Sequence, residues 1–265
     1  MKFCIISPCG SEDDYIVGHI DRLRASLSEL SEHLFEIVFV VDNYTSEKTM
    51  DLLREAVASE GTTIRILEKP STLQGLAGCY IAGYEYFASS DSDYVIEMDV
   101  GHPCDSIQLF VKGAEDGSDI VLGSRNMDQG QNLASLKRRA ISGLGSFLCR
   151  NFLFLYLSDC TSGFQLYSKS VIQSLDFNDF VSTSYFFQTE IKARTVNMLS
   201  ESYCKNESIL RNYLRRFFLY FDLKEYKRWE VLEVPFVYEN SNSSISFKKV
   251  MASFFEFLKL RKIVT

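Results

Sequence analysis

Short, almost wholly apolar runs alternate with amphipathic stretches through the first half of this chain. In the clearest of them, residues 36–41, Glu36 is followed by five apolar residues, a pattern typical of a strand covered on both faces of a sheet. Other strands are predicted at residues 2–7, 63–68, 94–98 and 119–122, with helices at 15–34, 47–59, 75–88 and 106–113. Strands that alternate with helices in this way predict an α/β fold with a doubly wound, mostly parallel sheet.

The alternation changes after Arg125. The sequence then predicts a long helix at 131–157, a strand at 164–167, a helix at 185–197 and a strand at 229–238. The tail at 247–263 is an amphipathic helix with five lysine and arginine residues. Because no repeat or linker-like segment interrupts the chain, we expect one domain over residues 1–246 and a basic amphipathic helix in residues 247–265.

Composition narrows the class of protein. With 265 residues, of which 46% are hydrophobic, the chain can bury a large core. A net charge of −7 argues against general affinity for nucleic acid. The seven cysteines form no CxxC pairs and are typical of reduced thiols in a cytosolic protein. The nearest candidate for a membrane span, residues 147–157, is short and contains Arg150 and Asn151, so we expect a soluble or peripheral protein.

One carboxylate stands at the end of a predicted strand. The run at residues 94–98 is followed by Asp99, and the chain then breaks at Gly101 and Pro103. Ligands of open α/β sheets bind at the carboxyl ends of the strands. An acid there could hold a hard cation against a diphosphate. Taken alone, however, an aspartate at this place is more often the start of a turn.

Seven short motifs favour the ligand-binding interpretation of Asp99 over the turn, because they occur together and in one order. They are Val41-Asp42-Asn43, Gly75-Leu76-Ala77-Gly78, Met98-Asp99, Gly123-Ser124-Arg125, Asp159-Cys160-Thr161-Ser162-Gly163-Phe164, Phe187-Gln188-Thr189-Glu190 and Glu233-Val234-Pro235-Phe236. The set resembles the inverting glycosyltransferases of family 2, and most of all their dolichyl- or polyprenyl-phosphate mannose and glucose synthases. The resemblance extends from about Lys2 to Ser246.

That resemblance implies a GT-A fold, with a Rossmann-like nucleotide-binding half and a C-terminal extension of helix and strand. It also implies transfer of a sugar, with inversion, from a UDP- or GDP-sugar donor to a lipid-phosphate or glycan acceptor. Polysaccharide or glycolipid biosynthesis is the process expected of such an enzyme.

On the donor side, the resemblance assigns Asp42 to the nucleotide base, although an Asx-turn is the structural alternative. Pro8 and Glu12 match the loop that lines the nucleotide pocket in relatives. Cys9, Gly10 and Ser11 depart from the usual sequence of that loop, so the base and the sugar stay open.

Two glycines and an arginine complete the donor side. Gly75 and Gly78 either let phosphate approach a helix N-terminus or allow tight packing of the helix. Arg125 is expected to pair with phosphate oxygens, and a plain surface ion pair is the alternative.

On the acceptor side, Asp159 and Glu190 are the candidate catalytic acids beside Asp99. Glu190 could be a general base for a hydroxyl acceptor or could orient an arginine, and Asp159 could instead cap its turn. A phosphate acceptor would need no base, because it is already ionised. Arg139 and Ser142 match family positions that could hold phosphate.

The chain departs from the family at its metal motif. Gly101 replaces the usual second acid, so Asp99 is expected to hold Mg²⁺ or Mn²⁺ in a weakened site, with donor phosphates and water completing the octahedron. His102 or Asp105 could add a ligand. Gln165 stands where relatives often have arginine, and the segment 241–247 lacks their cations.

Two further segments combine basic and aromatic residues, residues 210–220 and the tail at 247–263. Such helices bind anionic membrane surfaces, but amphipathic helices that pack on a core look similar. We expect a cytoplasmic protein with peripheral contact at the cytoplasmic membrane face.

Two alternatives to a glycosyltransferase remain at this point. A nucleotidyltransferase would normally have a glycine-rich, cationic loop after its first strand, and residues 7–11 contain no lysine or arginine. A non-catalytic nucleotide-sugar-binding or scaffold homologue is suggested by Gly101 and by the missing cations.

Overall fold

The structure is a computed structural model that describes residues 1–13, 15–59, 63–153, 155–196, 229–238 and 247–264. Its first half alternates strands and helices, as predicted. The elements are β1 Lys2–Cys9, α1 Ile16–Ser28, β2 Leu34–Val41, α2 Glu47–Ala58, β3 Thr63–Glu68, α3 Gly75–Ser89, β4 Tyr94–Glu97, α4 Ile107–Glu115 and β5 Ile120–Ser124.

The second half is less regular. Its elements are β6 Gln131–Asn132, α5 Leu136–Phe152, β7 Gln165–Ser168, α6 Lys169–Gln173, α7 Phe187–Val196, β8 Val231–Pro235, β9 Val237–Tyr238 and α8 Phe247–Val264. Local chemistry explains where α2 begins: the hydroxyl of Ser46 accepts a hydrogen bond from the Thr49 N–H and caps the helix.

The central sheet has seven strands in the order β3-β2-β1-β4-β7-β5-β8. All neighbouring pairs are parallel except those of β7, which runs antiparallel between β4 and β5. Side chains alternate across β1, with Cys4 and Ile6 in the core on one face and Phe3 and Ile5 in the core on the other. The predicted doubly wound, mostly parallel α/β fold is therefore confirmed.

Three predicted boundaries were wrong. Residues 131–132 pair with β9, and the helix predicted from 131 begins at Leu136, after the capping residue Ser135. Helix α1 ends at Ser28 rather than at residue 34, because Leu34 already pairs with Lys2 in the sheet. The strand predicted at 229–238 divides, since β8 pairs with β5 and β9 pairs with β6.

Helix α8 packs on the body of the protein with its apolar side. Phe257 is 4% exposed and contacts the rings of Phe152 and Phe186 edge-on. Glu256 accepts hydrogen bonds of 2.9 Å from the N–H and the hydroxyl of Thr183. Within the described ranges, no helix combines the length and the apolar character that a bilayer span requires. The segment 210–220 lies outside the described residues, as do residues 241–246.

Candidate functional site

The predicted strand-end residues lie along one edge of the sheet, the edge formed by the carboxyl ends of its parallel strands. Asp42 directly follows β2, Asp99 closely follows β4, and Arg125 directly follows β5. Strands β2 and β4 are both parallel to β1, and β5 points the same way because β7 lies antiparallel between it and β4. Carboxyl ends of parallel strands share one edge. We call the side chains of Glu12, Asp42 and Asp99 the donor edge.

Asp99 sits in a tight turn at this edge. Its carbonyl oxygen accepts from the N–H groups of Gly101 and His102 at 2.8 and 3.1 Å, and its own N–H donates to Nδ1 of His102 at 2.9 Å. Its carboxylate is half-buried, and its Oδ1 accepts a hydrogen bond from the hydroxyl of Tyr80 on α3. Among the described residues, Tyr80 is the only side chain that donates to this carboxylate.

The ring of His102 packs in the core and supports the turn that contains Asp99. The ring is 6% exposed and stacks on Phe164, with centroids 5.0 Å apart. Burial lowers the pKa of His102 to about 4, so the ring is neutral at neutral pH. Because Nδ1 already accepts the Asp99 N–H, this nitrogen is not available to a metal ion.

Glu12 is a second acid of the donor edge whose surroundings the structure defines. Its Oε2 accepts from the Gly10 N–H at 2.5 Å. Burial raises the pKa of Glu12, and the charge of Asp99 raises it further. The carboxylates of Glu12 and Asp99 therefore repel each other, and a cation beside them would relieve that repulsion. In chemical terms this donor set of oxygens fits Mg²⁺ or Mn²⁺.

Another group of acids, Glu32 and Glu115 with His33, also comes close enough together to be considered for a metal ion. Glu32 and His33 precede β2, whereas Asp42 follows it. This group therefore lies at the opposite edge of the sheet from Asp99. His33 also contacts the N-terminal amine of Met1 through Nδ1, so its two ring nitrogens have partners within the protein.

Asp42 forms the Asx-turn that the sequence left open. Its Oδ1 accepts from the Tyr44 N–H at 2.8 Å. Burial raises the pKa of Cys79 on α3 to about 11, and the charge of Asp42 adds to this. Contact with a nucleotide base stays a prediction.

The two glycines of α3 are required by packing. Gly75 has a φ of +60°, and a Cβ there would lie 2.2 Å from the carbonyl oxygen of Thr183. A Cβ on Gly78 would lie 2.9 Å from Leu73. The Thr183 oxygen also accepts from the Ala77 N–H at 3.4 Å. A carbonyl oxygen thus approaches this helix N-terminus, which supports the packing role over the phosphate role.

Arg125 and Asp159, which the sequence assigned to opposite sides of the site, form a buried ion pair with each other. Nε of Arg125 donates to Oδ2 of Asp159 at 2.6 Å, and Nη2 donates to Oδ1 at 2.9 Å. The two side chains are 8% and 0% exposed. Burial by itself raises the pKa of Asp159, but the hydrogen bonds and charge of Arg125 outweigh it and lower the pKa to about 2.

Two hydroxyl groups join this pair. Nη2 of Arg125 donates to Oγ1 of Thr161 at 2.9 Å and to Oγ of Ser142 at 3.3 Å, and the two hydroxyls lie 2.6 Å apart. We call Arg125, Ser142, Asp159 and Thr161 the arginine cluster. The guanidinium of Arg125 also lies 5.6 Å from the ring centroid of Tyr238, and that of Arg138 lies 5.1 Å from the same ring.

Glu190 is fully buried and serves as an anchor. Its oxygens accept from the N–H of Val181 at 3.0 Å, from the N–H of Ser182 at 2.9 Å and from Nε of Arg194 at 2.9 Å. A general base needs an oxygen that can reach the substrate. This geometry supports the second of the two roles that the sequence left open, the orientation of an arginine.

The remaining predicted residues differ in exposure. Arg139 is exposed on α5, and Pro8 is buried in β1 opposite Val40 of β2. Gln165 is fully buried at the start of β7 and accepts from the Tyr167 hydroxyl at 2.9 Å. Of these three side chains, Arg139 is therefore the one placed to meet a ligand from solvent.

Comparison with known proteins fits this arrangement of strand-end acids and buried arginine. Residues 4–176 match the family described as Glycosyl transferase family 2. The chain belongs to this family. It is accordingly a transferase enzyme of the glycosyltransferase class, and this family membership argues against the nucleotidyltransferase alternative.

Curated relatives of this glycosyltransferase act on polyprenol-type substrates, according to their names. An undecaprenyl-phosphate mannosyltransferase of Micrococcus luteus is 28% identical over 201 residues, which cover 75% of this chain and 79% of the relative. A polyprenol monophosphomannose synthase of Mycolicibacterium smegmatis is 23% identical and covers 60% of this chain. A dolichol-phosphate mannosyltransferase of Pyrococcus furiosus is 25% identical and covers 67%. The chain spans 61% and 49% of the lengths of these last two.

Solved structures confirm the GT-A fold. Glucosyl-3-phosphoglycerate synthase from Mycobacterium tuberculosis, in complex with Mn²⁺, UDP and glucosyl-3-phosphoglycerate, superposes with a TM-score of 0.63 at 13% identity, over 98% of this chain and 80% of that one. Mannosyl-3-phosphoglycerate synthase from Rubrobacter xylanophilus gives 0.62 at 13% identity, over 99% and 73%. At such identity the likeness concerns the fold alone.

Two buried residues of this glycosyltransferase escaped the sequence analysis. Lys192 on α7 is 0% exposed, and its Nζ donates to the carbonyl oxygens of Ser162 at 2.6 Å and of Asp159 at 3.4 Å. Burial lowers the pKa of Lys192, although the charge of Asp159 opposes this. The position of Tyr80 in the pattern of α3 is that of an aromatic core residue, so the amino-acid sequence does not indicate its contact with Asp99.

Proposed function

We propose that this enzyme transfers a sugar, with inversion, from a UDP- or GDP-sugar to a lipid-linked phosphate, with a glycan as the alternative acceptor. The observation that carries the proposal is the half-buried Asp99 carboxylate at the carboxyl end of β4, fixed in its turn and beside Glu12, in a family 2 chain. The three curated relatives, each named for mannosyl transfer to a polyprenol-type phosphate or for its product, support the acceptor class.

A divalent cation belongs to this proposal. Asp99, with Glu12 beside it, would hold Mg²⁺ or Mn²⁺, and the donor phosphates and water would supply the other oxygens. The cation would neutralise charge on the departing nucleoside diphosphate. Because Gly101 takes the place of a second acid, we expect weaker metal affinity than in relatives with two acids.

The acceptor side supports a phosphate rather than a hydroxyl group. Glu190, the candidate base, is buried and is engaged by Val181, Ser182 and Arg194. A phosphate acceptor is ionised already and needs no base. The guanidinium of Arg138, which shares the Tyr238 ring with Arg125, provides positive charge beside the arginine cluster. We propose that Asp159 holds Arg125 in position and that phosphate binds on this side.

A lipid-linked acceptor implies contact with a membrane surface. Helix α5 exposes Leu144 and Phe147 at 59% and 57%, and α8 exposes Phe254 and Phe255 at 40% and 57%. The two helices touch where Phe152 meets Phe257. Lysine and arginine residues stand on both helices, among them Lys137, Arg138, Arg139, Lys249, Lys259, Arg261 and Lys262. We propose that this surface contacts anionic lipid at the cytoplasmic membrane face.

A donor and acceptor panel tests the proposal. The purified full chain would be assayed with UDP- and GDP-sugars, with Mn²⁺ or with chelator, and with either a polyprenyl phosphate or a soluble glycan. We expect one nucleotide class to stabilise the fold and transfer to the polyprenyl phosphate that depends on metal. Donor binding without transfer to either acceptor would favour the non-catalytic homologue, and the absence of both would refute the proposal.

Vesicle flotation tests the membrane surface separately. We expect the chain to float with vesicles that contain anionic phospholipid and not with neutral ones, and Phe147→Glu to weaken this binding. Equal recovery of the wild type with both vesicle types, or an unchanged Phe147→Glu variant, would contradict it.

A further inference from the structure

Two hydrogen bonds connect α7 to Asp99 through one tyrosine. Nε2 of Gln188 lies 2.9 Å from the Tyr80 hydroxyl, and that hydroxyl donates to Oδ1 of Asp99. An ionised carboxylate only accepts hydrogen bonds, so the single hydroxyl hydrogen of Tyr80 must point to Asp99. The group of Gln188 that faces Tyr80 must then be its NH₂. We call Gln188, Tyr80 and Asp99 the Tyr80 relay.

Two members of the relay, Tyr80 and Gln188, are held in place by the residues packed around them. Tyr80 is 0% exposed, and its ring stacks on Phe187 with centroids 5.5 Å apart and planes 5° from parallel. Gln188 is 6% exposed, and a Cβ on Gly163 would lie only 1.9 Å from its Nε2. The glycine of the Asp159–Gly163 turn therefore leaves the space that Gln188 fills.

We propose that Tyr80 and Gln188 are positioning residues, which fix the rotamer of the Asp99 carboxylate and leave its Oδ2 as the oxygen for the cation. The proposal rests on the function proposed above for Asp99. Partners that orient a ligand contribute strongly to metal affinity. With Gly101 in place of a second acid, the single carboxylate gains more from being oriented beforehand.

Tyr84 provides a matched control one turn along the same helix. It is also 0% exposed, and its hydroxyl donates to a different carboxylate, Oε2 of Glu97, at 2.7 Å. Glu97 is fully buried within β4, whereas Asp99 is half-buried beyond it. Tyr84→Phe thus removes an equally buried hydroxyl group, as Tyr80→Phe does, but leaves the relay intact.

The first test is a titration of the full chain with Mn²⁺ in the presence of UDP or GDP, in which calorimetry measures the binding. We expect Tyr80→Phe to raise the half-saturating Mn²⁺ concentration about 10-fold. Tyr84→Phe should change it by less than about 2-fold, while urea unfolding shows a similar loss of stability in both variants. Equal Mn²⁺ affinities of the two variants would overturn the proposal.

Gln188 gives a second and independent test. In Gln188→Glu the new carboxylate competes with Asp99 for the one hydroxyl hydrogen of Tyr80, so we expect a loss of Mn²⁺ affinity similar to that of Tyr80→Phe. Gln188→Met leaves the hydroxyl free to donate to Asp99 and should weaken binding less. The double variant Tyr80→Phe/Gln188→Glu should lose little more than Tyr80→Phe alone. Wild-type affinity in Gln188→Glu, or losses that simply add, would contradict the relay.

A structural readout separates this proposal from the proposed function. If the wild type bound no Mn²⁺ with either nucleotide, the proposed function would fail, but the orientation of Asp99 could still be observed. Crystal structures of Tyr80→Phe and Tyr84→Phe should show the Asp99 carboxylate rotated in the first variant only. A carboxylate that keeps its rotamer in Tyr80→Phe would overturn the positioning role.

Discussion

The donor edge and the arginine cluster both contain acidic side chains, but the protein holds these acids differently. Asp99 at the donor edge is half-buried, and Tyr80 is the only described side chain that donates to it. Asp159 in the arginine cluster is 1% exposed, and both of its oxygens are engaged by the Arg125 guanidinium. An acid with an open oxygen can bind a cation, whereas an acid with both oxygens engaged orients its neighbours.

The largest effect should follow removal of the open carboxylate. We expect Asp99→Asn to lower transfer about 100-fold or more with little change in folding, because neutral asparagine gives up the charge that would hold the cation. Steady-state rates over a range of Mn²⁺ concentrations measure this. Asp116→Asn, an exposed site at the end of α4, is the control and should keep the wild-type rate. Unchanged transfer by Asp99→Asn would remove the contrast between the two regions.

Breaking the buried ion pair should act on folding first. Arg125→Met leaves Asp159 buried without its partner, so we expect a loss of about 3–5 kcal/mol in the free energy of unfolding, measured in urea. The double variant Arg125→Met/Asp159→Leu should recover part of this loss, because the buried Asp159 carboxylate is no longer left without its guanidinium partner. A double variant as unstable as the sum of the single variants would show that the pair is not the source of the effect.

Glu190 tests whether a fully engaged acid is structural. In Glu190→Gln we expect a loss of about 2–3 kcal/mol in stability, because charge-assisted hydrogen bonds to Ser182 and Arg194 weaken. The pH profile of the transfer rate should keep its shape at temperatures where the variant is folded. Glu55→Gln, an exposed change on α2, should stay within about 0.5 kcal/mol of the wild type. A lost limb in the pH profile would instead identify Glu190 as a base.

The smallest predicted effect is a loss of folding stability at low pH. The pKa of Asp159 is lowered to about 2 in the folded protein, from an ordinary value of 3.8. Its contribution to stability is therefore present above the ordinary value and is lost as the pH falls through the folded value. We expect the wild type to lose about 2 kcal/mol more than Asp159→Asn as the pH falls from about 5 toward 2. Parallel stability curves for the two proteins would contradict the lowered pKa.

The pattern of the sequence was sufficient for the framework of the protein. Apolar runs such as residues 36–41, alternating with amphipathic stretches, predicted the doubly wound sheet, and the acids after two of those strands predicted the edge along which Asp42 and Asp99 lie. These features are local, because burial on both faces and the end of a strand are both visible in neighbouring residues. The boundaries around residue 131 were missed, since there the pairing partner lies more than a hundred residues away in β9.

The partners of the functional side chains were decided by tertiary structure alone. Arg125 and Asp159 are 34 residues apart, and Tyr80 and Gln188 are 108 residues apart. Which of two charged groups meets the other depends on how helices and strands pack, and short motifs do not encode that choice. Sequence therefore predicted the acids of the candidate site, while the packing of α3, α7 and the Asp159–Gly163 turn determined which acid is open and which is engaged.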